Sequence, residues 1–149
     1  MVENKLIGRV IATEKYPTTM ESFHFWTDTN LILNPFDIVI VENESNGSKT
    51  FAKIEDISHI TDSASFLADY ISSDFGDVTV NSPTHRIGMN YVTATVLGNT
   101  KNIFIPVQSN SKVYLASPEE ISIALGFDEI KSDNGSLVCG YLEMYENVK

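Results

Sequence analysis

The sequence has one cysteine, no long apolar run, and half as many basic as acidic residues, and each shortage excludes something. A single thiol, Cys139, cannot form an internal bridge, which points to a reducing compartment, and the expected location is cytoplasmic. Cys139 lies in an apolar, alternating stretch over residues 136–145 with no assignable partner, so it reads as a core thiol rather than a nucleophile. The longest apolar runs, such as residues 38–41 and 103–105, fall far short of the roughly 20 residues of a membrane-spanning helix. The first residues, Met1-Val2-Glu3-Asn4-Lys5, show no basic region followed by an apolar stretch, so no signal peptide is expected. Ten Lys and Arg against twenty Asp and Glu give a net charge of −10. Such a surface repels phosphate backbones, and the cations are scattered from Lys5 to Lys149 without a run.

What remains is a chain of 149 residues, 42 % hydrophobic, the size of one domain with a core that needs no disulfide or metal. Its dominant period is two. Residues 5–13 alternate Leu6, Gly8, Val10 and Ala12 against Ile7, Arg9, Ile11 and Thr13. Residues 22–27 put Phe23 and Phe25 on one face and His24 and Trp26 on the other. Residues 37–42 and 50–60 are the next strands, joined through Asn46-Gly47, a hairpin-turn signal because both residues tolerate positive φ. Further strands are expected at 89–98, 103–107, 112–116 and 136–145.

Two short helices interrupt this pattern. Phe66, Leu67, Tyr70 and Ile71 recur at helical spacing behind Asp62 and Ser63, candidate caps, with the helix ending near Ser73 and a loop over 75–87. Ser117-Pro118-Glu119-Glu120 is a capping box with proline at the first helical position, followed by Ile121, Ala124 and Leu125 and a terminating Gly126. Seven or eight short strands without regular helices between them predict a mainly β protein, an antiparallel barrel or sandwich rather than a parallel sheet. The chain reads as a single domain, residues 1–149, with a helical insertion at about 61–88.

Residues that could carry chemistry do not assemble into a motif. Gly98-Asn99-Thr100-Lys101 has one glycine and no following helix, so it reads as a β-turn rather than a phosphate loop. His24, His59 and His85 lack neighbours at metal-ligand spacing. The paired acids Glu42/Glu44 and Asp74/Asp77 flank turns, and Glu119/Glu120 suit the helix start. Gly135-Ser136-Leu137-Val138-Cys139-Gly140 lacks nucleophile-elbow spacing. Phe23, Phe25 and Trp26 could stack on bases, but without interleaved Lys or Arg a barrel core or a subunit contact is the better reading. No catalytic, cofactor-binding or metal-binding residue is assigned, and this chain is not expected to be an enzyme.

Taken in order, several segments resemble the N-terminal barrel (HAS-barrel) of HerA-type hexameric ATPases, a domain similar to the N-terminal barrel of rotary ATP-synthase subunits. They are Ile7-Gly8-Arg9-Val10-Ile11, Asn34-Pro35-Phe36-Asp37-Ile38-Val39-Ile40-Val41-Glu42 and Phe51-Ala52-Lys53-Ile54-Glu55-Asp56-Ile57. Ala94-Thr95-Val96-Leu97-Gly98, Ile105-Pro106-Val107, Val113-Tyr114-Leu115-Ala116 and 118–126 follow. The chain departs from the pattern at Phe36 and Ala52, where the family often has glycine, and at Ser109-Asn110-Ser111, which replaces a usual Pro-Gly turn. The resemblance implies a small closed antiparallel β-barrel with two short helices. It also implies an ATPase domain after residue 149, binding ATP and Mg outside this chain. The implied partners are that ATPase domain, neighbouring subunits of a homohexamer and a nuclease or other effector. A stand-alone interaction or ligand-binding barrel is the alternative, and a small hydrolase whose carboxylates meet only in the fold is a third.

With the charge of −10 and dispersed cations, duplex or single-stranded DNA should bind weakly if at all near physiological salt. A gel shift with nanomolar protein that survives physiological salt would restore the aromatic-platform reading.

Overall fold

The computed structural model describes residues 4–72, 75 and 87–130. Six strands, β1 (Leu6–Ile11), β2 (Ser22–Thr27), β3 (Ile38–Asn43), β4 (Ser48–Thr61), β5 (Gly88–Asn99) and β6 (Lys112–Leu115), form a closed antiparallel barrel in the order β1-β2-β5-β4-β3-β6. Helix α1 (Phe66–Ser72) lies between β4 and β5, and α2 (Pro118–Ala124) follows β6. The chain is thus mainly β, a small closed barrel with two short helices. Among the described residues, no helix is long and apolar enough to cross a membrane.

Period two puts one face of each strand inside. Phe23, Phe25, Val39, Val41, Ala52, Ile54, Val92, Ala94 and Val113 are all fully buried in one core cluster. Burying an aromatic or branched side chain this way contributes about 1.5–3 kcal/mol relative to leaving it exposed. The apolar run at 38–41 is buried on both faces. Val39 and Val41 point inward, whereas Ile38 packs outside the barrel against Ile121 of α2.

Closing six strands into a ring needs sharp local bends, and three register shifts provide them. One lies between Leu6 and Gly8 of β1. The other two lie along the β4–β5 pair, at Phe51/Ala52 and at Ile54/Asp56. At the first, Gly8 faces Thr27 of β2, and a Cβ built there would overlap the Trp26 carbonyl and lie 3.0 Å from Phe25 Cδ2. Only glycine lets the two backbones approach so closely.

Two expectations are corrected. Residues 103–107 form no strand: Asn102 turns the chain with a φ of 53°, Pro106 has no N–H for a ladder, and Val107 simply plugs into the core. Helix α1 is capped by neither Asp62 nor Ser63; Ser65 Oγ accepts from the Ala68 amide at 3.2 Å, because the helix begins later, at Phe66. The hairpin at Asn46-Gly47 is present, but only Gly47 takes positive φ, since the connection is a four-residue loop closed by the Gly47 amide on the Asn43 carbonyl at 2.8 Å. The capping box at Ser117 is present with both of its bonds, and Gly126 ends that helix at a φ of 73°. The expected strand at 136–145, and with it Cys139, lies outside the described residues.

Gly8→Ala should cost about 2 kcal/mol, because a backbone contact rather than a movable side chain must yield. The check is urea unfolding, where the midpoint should fall at unchanged slope. An unchanged midpoint would mean that the β1 bulge can slide at no cost.

Candidate functional site

Three surface features could do more than hold the barrel shut. The first is the anchor of α2. Glu120 is the third residue of the capping box, and its carboxylate also leaves the helix. Oε1 accepts from Lys49 Nζ at 2.9 Å, and Oε2 accepts from Asn4 Nδ2 at 2.9 Å and from the Ser117 amide at 3.1 Å. One carboxylate therefore ties α2 to β4 and to the chain preceding β1. Partial burial pushes the Glu120 pKa up, but the hydrogen bonds from Lys49, Ser117 and Asn4 outweigh it, and the net shift is downward. Lys49 is shifted upward, chiefly by its bond to Glu120, so the two partners agree. Glu42, 3.8 Å from the same ammonium, is a weaker, more exposed partner.

The second feature is an outer aromatic cluster. His24 stacks on Tyr91 with ring centroids 5.0 Å apart, and Tyr16 meets both rings edge-on. His24 Nδ1 is 3.2 Å from Thr93 Oγ1, and burial of the ring lowers its pKa. The Tyr91 hydroxyl is buried without a hydrogen-bond partner, and burial raises its pKa, with a smaller contribution from Tyr16. Trp26 lies beside this cluster, 42 % exposed and paired with Tyr91 across the ladder. Phe23 and Phe25 are not part of any platform, because both are inside the barrel.

The third is the far half of the β4–β5 ribbon, where β4 runs past the end of β3 while β5 still pairs with β2 as far as Asn90. β3 pairs with β4 only as far as Lys53, while the β4–β5 pair continues to Thr61/Gly88. Here Asp56, Ser58, His59, Ile60 and Thr61 are all exposed.

The remaining residues singled out in the sequence are dispersed. His59 Nδ1 is 3.1 Å from Asn90 Oδ1 on the ribbon, with β5 between it and His24 and their partners on that strand three positions apart. Lys101 donates to the Asn46 carbonyl at 2.6 Å, tying two hairpin ends together. His85, Asp74 and Asp77 lie outside the described residues. Among the described residues, no three His, Cys, Asp or Glu side chains gather where they could hold a metal ion. Sequence reasoning missed the buried polar lattice at one barrel end. There the Asn43 and Asn99 amides each donate to both Ser48 Oγ and Thr50 Oγ1, at 2.9–3.1 Å. The signal was available, since Asn43, Ser48 and Thr50 break the apolar alternation at the strand ends. Missed too was Glu120's second role, which no spacing rule reveals.

No protein-family model matches the chain, and comparison with curated proteins finds no significant match.

Glu120→Gln should destabilise the barrel by about 1 kcal/mol at neutral pH, a modest value because Lys49 is half-exposed. The depressed Glu120 pKa means that this stabilisation is present above the ordinary glutamate value of 4.5 and is lost as pH falls through the lower folded value. Unfolding curves of both proteins at a series of pH values should therefore converge in acid. A gap that persists at the lowest pH would assign the loss to packing instead.

Proposed function

We propose that this chain is the non-catalytic N-terminal barrel of a HerA-like, DNA-translocating ATPase, holding subunits in a ring and docking a nuclease or other effector. The observation that carries the reading is where the family-like segments fall. In chain order they lie on β1, on the turn into β3 and β3 itself, on β4, β5 and β6, and on α2 of a closed six-stranded barrel, with Ile105-Pro106-Val107 alone in a connection, between β5 and β6.

Two departures from the family pattern support the reading on closer inspection. Asn34-Pro35-Phe36-Asp37 is a turn closed by the Asp37 amide on the Asn34 carbonyl at 3.2 Å, with Phe36 at a φ of 73°. Proline second and a left-handed residue third is the pattern of a type II turn, whose third place favours glycine. Gln108-Ser109-Asn110-Ser111 repeats the arrangement, with the Ser111 amide on the Gln108 carbonyl at 3.3 Å and Asn110 at a φ of 66°. The backbone keeps at both sites the conformation that a glycine would supply, although the residues differ. Asn110 tolerates it well and Phe36 less so.

The role has a physical logic. A ring motor opens and closes its nucleotide interfaces while its subunits stay together. A barrel whose strands pair around a closed ring is stiff, so a collar of barrels can hold neighbours and present a constant face. An acidic collar also avoids trapping DNA that must pass through. The competing reading, a stand-alone interaction barrel, needs only the exposed surfaces described above.

Six linked contacts gain through effective concentration, so this chain alone should be a monomer or a weak, concentration-dependent oligomer. A longer product that carries the motor should form a stable ring, most simply a hexamer, and deleting residues 1–149 from it should loosen the ring or abolish effector docking. Sedimentation of both forms, with and without ATP, makes the comparison. A deleted form that assembles and recruits its partner normally would hand the lead to the stand-alone reading.

A further inference from the structure

Among the described residues, the β4 strand leaves the barrel with one side open. Its partner on that side, β3, is not followed backward along β4, because the turn at Asn34-Pro35-Phe36-Asp37 swings the chain away. The last bonds in that lane are the Phe36 amide to the Ile54 carbonyl at 2.8 Å and the Ile54 amide to the Asp37 carbonyl at 2.9 Å. Among the described residues, β4 beyond Ile54 continues to Thr61 paired only with β5.

The direction of the unpaired groups follows from the ladder. In a strand, alternate residues turn both backbone groups to the same side. Ile54 points inward and bonds toward β3. The register shift at Ile54/Asp56 moves the inward position to Ile57, which packs on the core. The Asp62 amide bonds to the Ile87 carbonyl at 3.1 Å, so the even-numbered residues after the bulge face the β5 side. Ile57, His59 and Thr61 therefore turn three N–H and three C=O groups toward the open lane.

Proteins usually blunt such an edge with lysine, proline or a covering loop. From Glu55 to Thr61 this chain has neither lysine nor proline, and Ile57, Ile60 and Thr61 are strand-favouring β-branched residues. At its far end the lane runs into an open groove lined by His59, Ile60, Thr61, Ser63, Ser65 and Phe66, where the Phe66 ring is 95 % exposed.

We infer that the open edge of β4, residues 57–61, is a docking site that takes an extended segment of a partner protein as an added strand. Charge selects the occupant. Glu55 and Asp56 stand at one end of the edge, and Lys53, the nearest cation in sequence, is already bridged to Glu55 at 2.9 Å. A second copy would bring the same acids and another −10 to the junction. The fitting partner is a short strand with apolar or β-branched residues at its centre and Lys or Arg at the end that meets Glu55 and Asp56. Backbone bonds supply the affinity, and the groove at Phe66 accepts one apolar side chain. The inference rests on the docking half of the proposed function and is independent of the ring.

The probe is the peptide Lys-Val-Thr-Val-Thr-Val-Lys, titrated into the isotope-labelled chain and followed by amide NMR. Saturable shifts centred on Ile57, His59 and Thr61 are expected. Two N-methylated forms of the peptide, blocked on alternate amides, leave the protein untouched. One should lose affinity by about tenfold and the other should keep most of it, because only one edge of an added strand bonds to β4. His59→Pro, with its fold checked by thermal melting, removes an open-side N–H and should weaken binding likewise. Equal binding by both methylated peptides, or no shifts with millimolar peptide, would overturn the site. Concentration-dependent shifts at the same amides without peptide would overturn the choice of partner in favour of a second copy. Ring formation does not enter the titration, so a barrel that fails to assemble still reports on its edge.

Discussion

The barrel depends on β6. This strand is four residues long, yet it pairs with β1 on one side and β3 on the other, and without it both would be free edges. Its hold is short in ladder bonds, so side chains and flanking segments reinforce it. Val113 is fully buried in the core, the Leu115 amide reaches the Lys5 carbonyl at 3.1 Å, and the Ala116 amide reaches the Ile38 carbonyl at 3.0 Å. The helix that follows folds straight back and packs Ile121 on Ile38, while Glu120 bonds to Lys49 and Asn4. The junction is thereby braced on its outer side by the element that directly succeeds it.

Closure at β6 and opening at β4 are two sides of one geometry. Six strands of unequal length cannot all be paired along their full extent, and the surplus falls on the longest pair, the fourteen residues of β4 and the twelve of β5. Past the bulge at Ile54/Asp56, Ile57 still packs on the core, and only the end of the pair, from Ile60 and Met89 on, outruns β2 as well. The barrel thus has a closed body and a ribbon whose β4 strand is exposed from Ser58 to Thr61 while β5 beside it is half-buried. The proposed functions divide along the same line: the body suits a constant collar, and the ribbon suits recognition of a partner.

The acidity of the surface is compatible with both. Several carboxylates serve locally. Asp37 accepts the Asn34 amide in the turn before β3, Asp28 accepts from Asn30, and Glu120 anchors α2. The excess of negative charge is left without a matching basic patch in the sequence. It acts as a long-range field that favours basic partners and disfavours phosphate backbones.

Local chemistry was legible in the sequence because it is local. Alternation of apolar residues located all six strands to within a few positions, the capping box at Ser117 located α2, and Gly47 marked a hairpin, each through interactions a few residues apart. The error at 103–107 has the same origin, since an apolar run around Pro106 can fill a barrel end as well as form a strand. The order in which strands close could not be read, because β2 meets β5 and β6 meets β1 across more than sixty residues of chain. The need for glycine at position 8 depends on the Trp26 carbonyl, the second bond of Glu120 on Lys49, and the open edge of β4 on where β3 turns aside. Those are facts about which backbones lie side by side, and only the folded chain decides them.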